Sequence, residues 1–321
     1  MSKFLNNVKK DNDFLYITKN KYFVDKSKLL EKFNNIMDEY EHRYVCVTRP
    51  RRFGKSLNAL MLASYYTKNL DMHETFDTLN IHSCNSYERH LNKHNVIYIS
   101  FNTKNVQAKT YEQYRDYFIN GLIEDMREIC PDINSKDPIG TIFDEVYTKL
   151  DTKFIFIIDE WDYIFNNDMY TKNDRKNFLE FLEGLLKDKA YVQLTYMTGI
   201  LPIAKYSSGS SLNMFYEYDA ISDTVYGDYF GFLGEEVQQL CERQKNIKKL
   251  SDEQKESLAK ELQDWYNGYK TCEGKDVYNS RSVIRALRDG VCQSYWTNTG
   301  KKKEVAAYIN LDVDGLTQNI I

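Results

Sequence analysis

Gly54, Lys55 and Ser56, with Asp159 and Glu160 much further along the chain, are the residues whose types and spacing best suit chemistry. A glycine, lysine and hydroxyl in a row at the start of a helical pattern can hold phosphate. Backbone N–H groups of the loop and helix N-terminus wrap the phosphates, the Lys55 ammonium reaches the β- and γ-phosphates, and the Ser56 hydroxyl ligates magnesium. The candidate binding set is therefore Pro50, Arg51, Arg52, Phe53, Gly54, Lys55, Ser56 and Leu57. Asp159 would hold the magnesium through water or Ser56, and Glu160 would polarise an attacking water. Thr198, beside Gly199 at the end of another apolar run, could present its hydroxyl to the γ-phosphate as a sensor. A plain strand-end turn accounts for Thr198 equally well. A chance loop explains Gly-Lys-Ser alone, and a solvated turn explains Asp-Glu alone; together the two patterns favour a site for ATP and Mg2+.

These residues need a strand, a loop and a helix to place them. Tyr44-Val45-Cys46-Val47 is a short apolar, β-branched run before the loop, and Leu57, Leu60, Met61 and Ala63 continue a helix after it. Arg49 stands where the glycine-rich loop usually has its first glycine, so the entry lacks a residue that tolerates positive φ. Pro50 supplies stiffness there by fixing its own φ and biasing Arg49 to extended geometry. Phe154-Ile155-Phe156-Ile157-Ile158 reads as a strand buried on both faces, with the acidic pair at its carboxyl end. Strands are expected over 96–101 and 191–199, and helices over 111–130, 139–150 and 173–186. Residues 1–20 are polar and expected to be only partly ordered at the start. Leu29, Leu30, Phe33 and Ile36 then recur at helical spacing, with Asp25 or Ser27 as cap. Tyr22 or Phe23 could flank an adenine, although core aromatics under a helix are the more ordinary reading.

Beyond Ala204 the pattern changes. Residues 207–211 form a small, polar segment, and helices are expected over 234–245, 251–266 (capped by Ser251) and 280–288. The expected fold class is α/β: a P-loop NTPase with a mainly parallel sheet flanked by helices, plus a C-terminal helical subdomain. The corresponding division is a core at 1–225 and a helical lid at 226–321.

At 321 residues, the chain can build one large or two modest domains. Charged residues make up 28% and hydrophobic ones 42%, the balance of a globular protein. A net charge of −4 gives no general attraction to nucleic acid or anionic membrane. Local basic clusters occur at 49–55 and 301–303. No apolar run is long enough to span a bilayer and the N-terminus lacks a signal-like core, so an intracellular, cytoplasmic location is the default expectation. The 6 cysteines show no C-x-x-C spacing, which fits idle or buried thiols.

Several motifs resemble the predicted AAA-ATPase-like family, whose members are often fused to a C-terminal PD-(D/E)XK nuclease-like domain. Tyr22-Phe23-Val24-Asp25-Lys26 resembles its opening motif and Thr48-Arg49-Pro50-Arg51-Arg52-Phe53-Gly54-Lys55-Ser56 its phosphate loop, arginine included. Ile158-Asp159-Glu160-Trp161-Asp162 is similar to its acidic motif, which usually carries Tyr at the Trp161 position. Thr198 to Lys205, Phe230-Gly231-Phe232, Glu235-Glu236-Val237, Trp265 to Tyr269, Val277-Tyr278-Asn279 and Tyr295 to Thr299 extend the match. Ser280 and Arg281 depart from the family's usual proline and bulky residue. Trp296 is followed by 25 residues, too few for the nuclease-like domain. The resemblance implies an additional-strand P-loop ATPase core with a helical lid.

On these grounds the expected activity is Mg-dependent ATP binding, with hydrolysis driving a molecular switch or motor. The alternative is a nucleotide-bound scaffold with little or no turnover. Arg51 and Arg52 could lie over the phosphates, contact a neighbouring copy in a homo-oligomer, or bind an unknown protein or nucleic-acid partner, and Arg281 could supply a charge to the nucleotide from the lid. Nuclease activity is disfavoured: Glu304, Asp312 and Asp314, the carboxylates after Trp296, sit on a short tail.

Overall fold

A computed structural model describes residues 2–37, 39–103, 107–206 and 211–295. The basic cluster at 301–303, the tail carboxylates and the motif residues 296–299 lie outside the described residues, as does most of the segment at 207–211. The structure divides into two compact units, one made of residues through Val47 with Lys55–Tyr218, the other of Thr48–Gly54 with residues from Asp219 onward.

In the first unit the chain runs α1 (Asp13–Thr18), α2 (Leu29–Ile36), β1 (Tyr44–Thr48), α3 (Lys55–Tyr66), α4 (His73–Phe76), α5 (Tyr87–His90) and β2 (Asn95–Ser100). It continues with α6 (Tyr111–Ile129), α7 (Ile139–Leu150), β3 (Phe154–Asp159), α8 (Lys172–Leu186), β4 (Val192–Gly199) and β5 (Tyr216–Tyr218). The sheet order is β2-β3-β4-β1-β5. β3 pairs in parallel with β2 and β4, and β1 pairs in parallel with β5. Every residue of β3 is buried, which explains its unbroken apolar sequence: helices cover both of its faces. Phe154, Phe156 and Ile158 pack with α6, α7 and α8 residues such as Phe118, Phe143 and Leu182. On the opposite face α3 lies against β3 and β4, and Phe33 of α2 meets Tyr196 edge-on with ring centroids 5.4 Å apart.

The amino-terminal stretch is more firmly held than its polarity suggests. Asp125 accepts hydrogen bonds from the backbone N–H groups of Lys3, Phe4 and Leu5 at 2.5, 2.7 and 2.9 Å. Phe4 stacks on Phe118, and Leu5 makes an antiparallel bridge to Ile97. One buried carboxylate thus satisfies three donors that would otherwise need water. The expected cap of α2 is also corrected. Lys28 is the N-cap and makes no side-chain bond. Asp25 instead accepts from the Ser27 and Asn80 N–H groups at 2.8 and 2.7 Å, while the Ser27 hydroxyl accepts from Ile81 N–H at 3.0 Å. Both residues fasten the segment to the chain around residue 80 rather than starting the helix. Tyr22 is a buried residue, 3% exposed.

The second unit contains β6 (Phe232–Leu233), α9 (Gly234–Lys248), α10 (Asp252–Tyr266), β7 (Asn267–Lys270), β8 (Asp276–Tyr278) and α11 (Ser280–Asp289). Ser251 caps α10 by accepting from Gln254 N–H, and Gln254 reaches back to Ser251 N–H. Beside the helices lies an antiparallel sheet of order β6-β8-β7, an element absent from the sequence expectation. Strands of two to four residues are too short to show a period. Cys46, Cys84, Cys130, Cys241, Cys272 and Cys292 are all free. Among the described residues no helix is long and apolar enough to cross a membrane.

Candidate nucleotide-binding site

The parallel sheet brings the carboxyl ends of β1, β3 and β4 to one edge, where α/β sheets place ligands. Helix α3 begins at Lys55, immediately after Gly54. Gly54 has φ +85°, with nothing within 4 Å of where a Cβ would stand. Glycine is needed there for its backbone conformation rather than for lack of room. Lys55 is 7% exposed, whereas Ser56 is open to solvent.

Ser56 donates its hydroxyl hydrogen to Asp159, the last residue of β3. Asp159 is 4% exposed, and its Oδ1 has no hydrogen-bond partner among the described residues. Burial raises its pKa to about 6, and the neighbouring Glu160 charge adds to this; the Ser56 bond and the Lys55 ammonium act in the opposite sense. The orphaned, buried carboxylate oxygen and the Ser56 hydroxyl are hard oxygen groups of the kind a small cation takes, whereas the Lys55 ammonium beside them supplies positive charge suited to an anion. Thr198, the penultimate residue of β4, is fully buried, and its hydroxyl likewise has no partner among the described residues.

Glu160 departs from strand geometry at once. It adopts φ 51° and ψ 47°, in the left-handed region, and opens a 3₁₀ turn at Trp161–Asn166. That turn sends Asp162 inward. Its Oδ2 accepts from Ile200 N–H at 2.8 Å and its carboxylate also serves Leu201 N–H, so the exits of β3 and β4 are joined. Burial pushes the Asp162 pKa up, while these backbone donors and Lys55 hold it down. Gly199 permits the join: a Cβ there would stand 2.5 Å from Trp161 Nε1 and 3.1 Å from Asp162 Cγ. The second aspartate of the acidic motif thus has a defined task that its sequence position did not disclose. The only hint was two carboxylates within four residues of a buried strand.

Residues Thr48–Gly54 of the loop belong to the second unit. Arg49 is 3% exposed and forms a buried ion pair with Asp223, while its other terminal nitrogen donates to Thr48 O at 2.8 Å. Arg52 has φ 73°, unusual for a non-glycine residue. Its carbonyl accepts from the Ser280 hydroxyl at 3.0 Å, and its guanidinium donates to Tyr295 O. Phe53 packs with Leu233 and Val277, and its carbonyl accepts from Gly231 N–H at 3.0 Å. Pro50 is buried, and Arg51, Gly54 and Leu57 are half-buried. Burial, together with the positive charges of Arg281, Arg285 and Arg51, lowers the Arg52 pKa. Lys55, Ser56, Asp159, Glu160 and Thr198 therefore share one unit, whereas Pro50, Arg51, Arg52 and Phe53 belong to the other.

Strand β4 lies between the loop-bearing β1 and the acidic β3, an additional strand separating the two motifs. With a glycine-lysine-serine loop at the end of β1, that order defines a P-loop nucleotide-binding ATPase fold. The chain belongs to the family described as "Predicted AAA-ATPase", whose model matches residues 12–208. A curated relative, an "Uncharacterized protein in vnfD 5'region" of Azotobacter chroococcum mcd 1, is 24% identical over 285 residues. The alignment covers 87% of this chain and 51% of the relative, so the chain spans about half of that protein's length. Among solved structures, the chain is similar to the ORC2 protein of Aeropyrum pernix in ADPNP–ADP complexes, with 10% identity and a TM-score of 0.41, covering 85% of this chain and 64% of that one. PCH-2 of C. elegans has 10% identity and a TM-score of 0.33, covering 72% of this chain and 50% of that one.

Proposed function

We propose that the protein binds ATP together with magnesium and hydrolyses it, using the change of nucleotide state as a molecular switch toward an unidentified partner. The observation that carries this reading is Ser56 donating to Asp159, whose other oxygen is left without a partner, beside the buried Lys55. Backbone N–H groups following Gly54 and the Lys55 ammonium hold the phosphates. Ser56 and Asp159 are the residues that would hold the metal. A magnesium ion held there would supply neutralisation of phosphate charge. Glu160 orients and polarises the attacking water, and Thr198 donates to the γ-phosphate. Catalysis of this kind is positioning plus charge neutralisation, with little covalent work for the chain itself.

The test is calorimetric titration of ATP and ADP with and without magnesium, on the parent protein and on Lys55→Ala. The substitution should weaken nucleotide affinity by at least about tenfold, the worth of a charge-assisted hydrogen bond, while leaving the circular dichroism spectrum unchanged. Unchanged affinity in a folded Lys55→Ala protein overturns the assignment. Steady-state phosphate release then separates an ATPase from a nucleotide-bound scaffold.

A further inference from the structure

Arg49 occupies the place where a glycine-rich phosphate loop begins, and its surroundings show how the loop does without that glycine. Its guanidinium is bound on one side by Asp223, 174 residues away, and on the other by the carbonyl of Thr48. The same guanidinium lies over the Phe230 ring, 5.0 Å from its centroid. Asp223 is itself fixed: its Oδ1 accepts from the backbone N–H groups of Val225 and Tyr226, each at 2.7 Å, while Oδ2 faces Arg49. The exposures are 4% for the Arg49 side chain and 1% for that of Asp223, so the pair sits out of water and cannot relax into solvent.

We infer that Asp223 is a positioning residue for the phosphate loop, and that the buried Arg49–Asp223 pair sets the loop's entry path in place of the absent glycine. This inference rests on the nucleotide reading of the loop. A glycine at the first loop position works by allowing unusual backbone torsions. Here the backbone is constrained from outside. A planar guanidinium with a fixed fork of donors holds the Thr48 carbonyl and the Asp223 carboxylate in one geometry. Arg52 and Phe53 then take their places under Ser280 and Gly231, and Gly54 turns the chain into α3. Nucleotide affinity is thereby under the control of residues 219–226, which precede the helical part and touch no phosphate in this account.

The experiment uses the full chain and two variants. Asp223→Asn keeps the oxygen that accepts from Val225 and Tyr226 but removes the charge facing Arg49. The double variant Arg49→Met with Asp223→Asn removes both charges at similar volume, a change that buried ion pairs often tolerate without loss of stability. Each is measured for thermal midpoint, for amide hydrogen exchange across residues 49–54 without nucleotide, and for ADP affinity. The expected result is a double variant with a midpoint near the parent's, faster exchange in the loop, and ADP affinity weaker by about tenfold or more, as for other misplaced binding groups. Parent-like loop exchange in the folded double variant overturns the inference, and so does parent-like ADP affinity. If the parent protein binds no nucleotide, the proposed function fails, while the exchange measurement still decides whether the pair positions the loop.

Discussion

Asp162 Oδ2 accepts the backbone N–H of Ile200 at 2.8 Å, across 38 residues of sequence. The bond ties the turn after the acidic strand to the turn after β4, and so fixes the spacing between Asp159 and Thr198. Trp161 packs against Gly199 in the same join, so that a side chain at 199 would collide with it.

Removing that tie has a definite cost. Asp162→Ala leaves the Ile200 and Leu201 N–H groups buried without an acceptor, so urea denaturation should show a loss of about 2–4 kcal/mol. Asp162→Asn keeps an acceptor oxygen and should lose less than half as much. Equal losses in the two variants would mean that charge, not the hydrogen bond, is what Asp162 supplies.

The acidic pair should separate into two phenotypes. With Glu160→Gln, ATP should still bind, but phosphate release should fall by roughly 10²–10⁴, the usual worth of a general base. Asp159→Asn should instead weaken the magnesium-dependent part of binding. Turnover at the parent rate in Glu160→Gln would make Glu160 a strand-end carboxylate and nothing more.

The burial of Asp159 predicts a pH signature. Its ordinary pKa is 3.8 and in the fold it is raised to about 6. Between these values the folded protein holds a proton that the unfolded chain has lost. Stability without ligand therefore falls as pH rises through that window, by up to about 3 kcal/mol. The penalty is absent below about pH 4 and complete above about pH 6. Asp159→Asn should remove it, so the stability difference between parent and variant should change across this range. A difference independent of pH from 4 to 7 would contradict the account. Magnesium needs the ionised carboxylate, so magnesium-dependent ATP affinity should weaken as pH drops below about 6.

The parts that could be read in the sequence are those encoded locally. The five apolar residues of β3 followed by Asp159, the glycine-lysine-serine entry to α3, and the Ser251 cap with Gln254 three positions on each carry their own physical signal. What escaped depends on partners distant in sequence. Arg49 looked like a missing glycine because Asp223 is remote, and the start of the chain looked loose because Asp125 is more than a hundred residues away. Asp162 was legible only as the last residue of the acidic motif, with no task attached to it. Its burial follows from the left-handed step at Glu160, which no propensity foretells.

The Arg49–Asp223 pair also bears on how such a loop could arise or be repaired. Glycine at position 49, introduced alone, would strand the Asp223 carboxylate in the interior. Losing Asp223 alone would strand a guanidinium. Each single step is therefore worse than either end point, and the two positions are epistatic. A designer who introduces the glycine of the general phosphate-loop pattern at 49 would damage the protein unless residue 223 changes with it. A loop that relies on glycine at this position and one that relies on the ion pair are thus separated by a valley rather than by a slope.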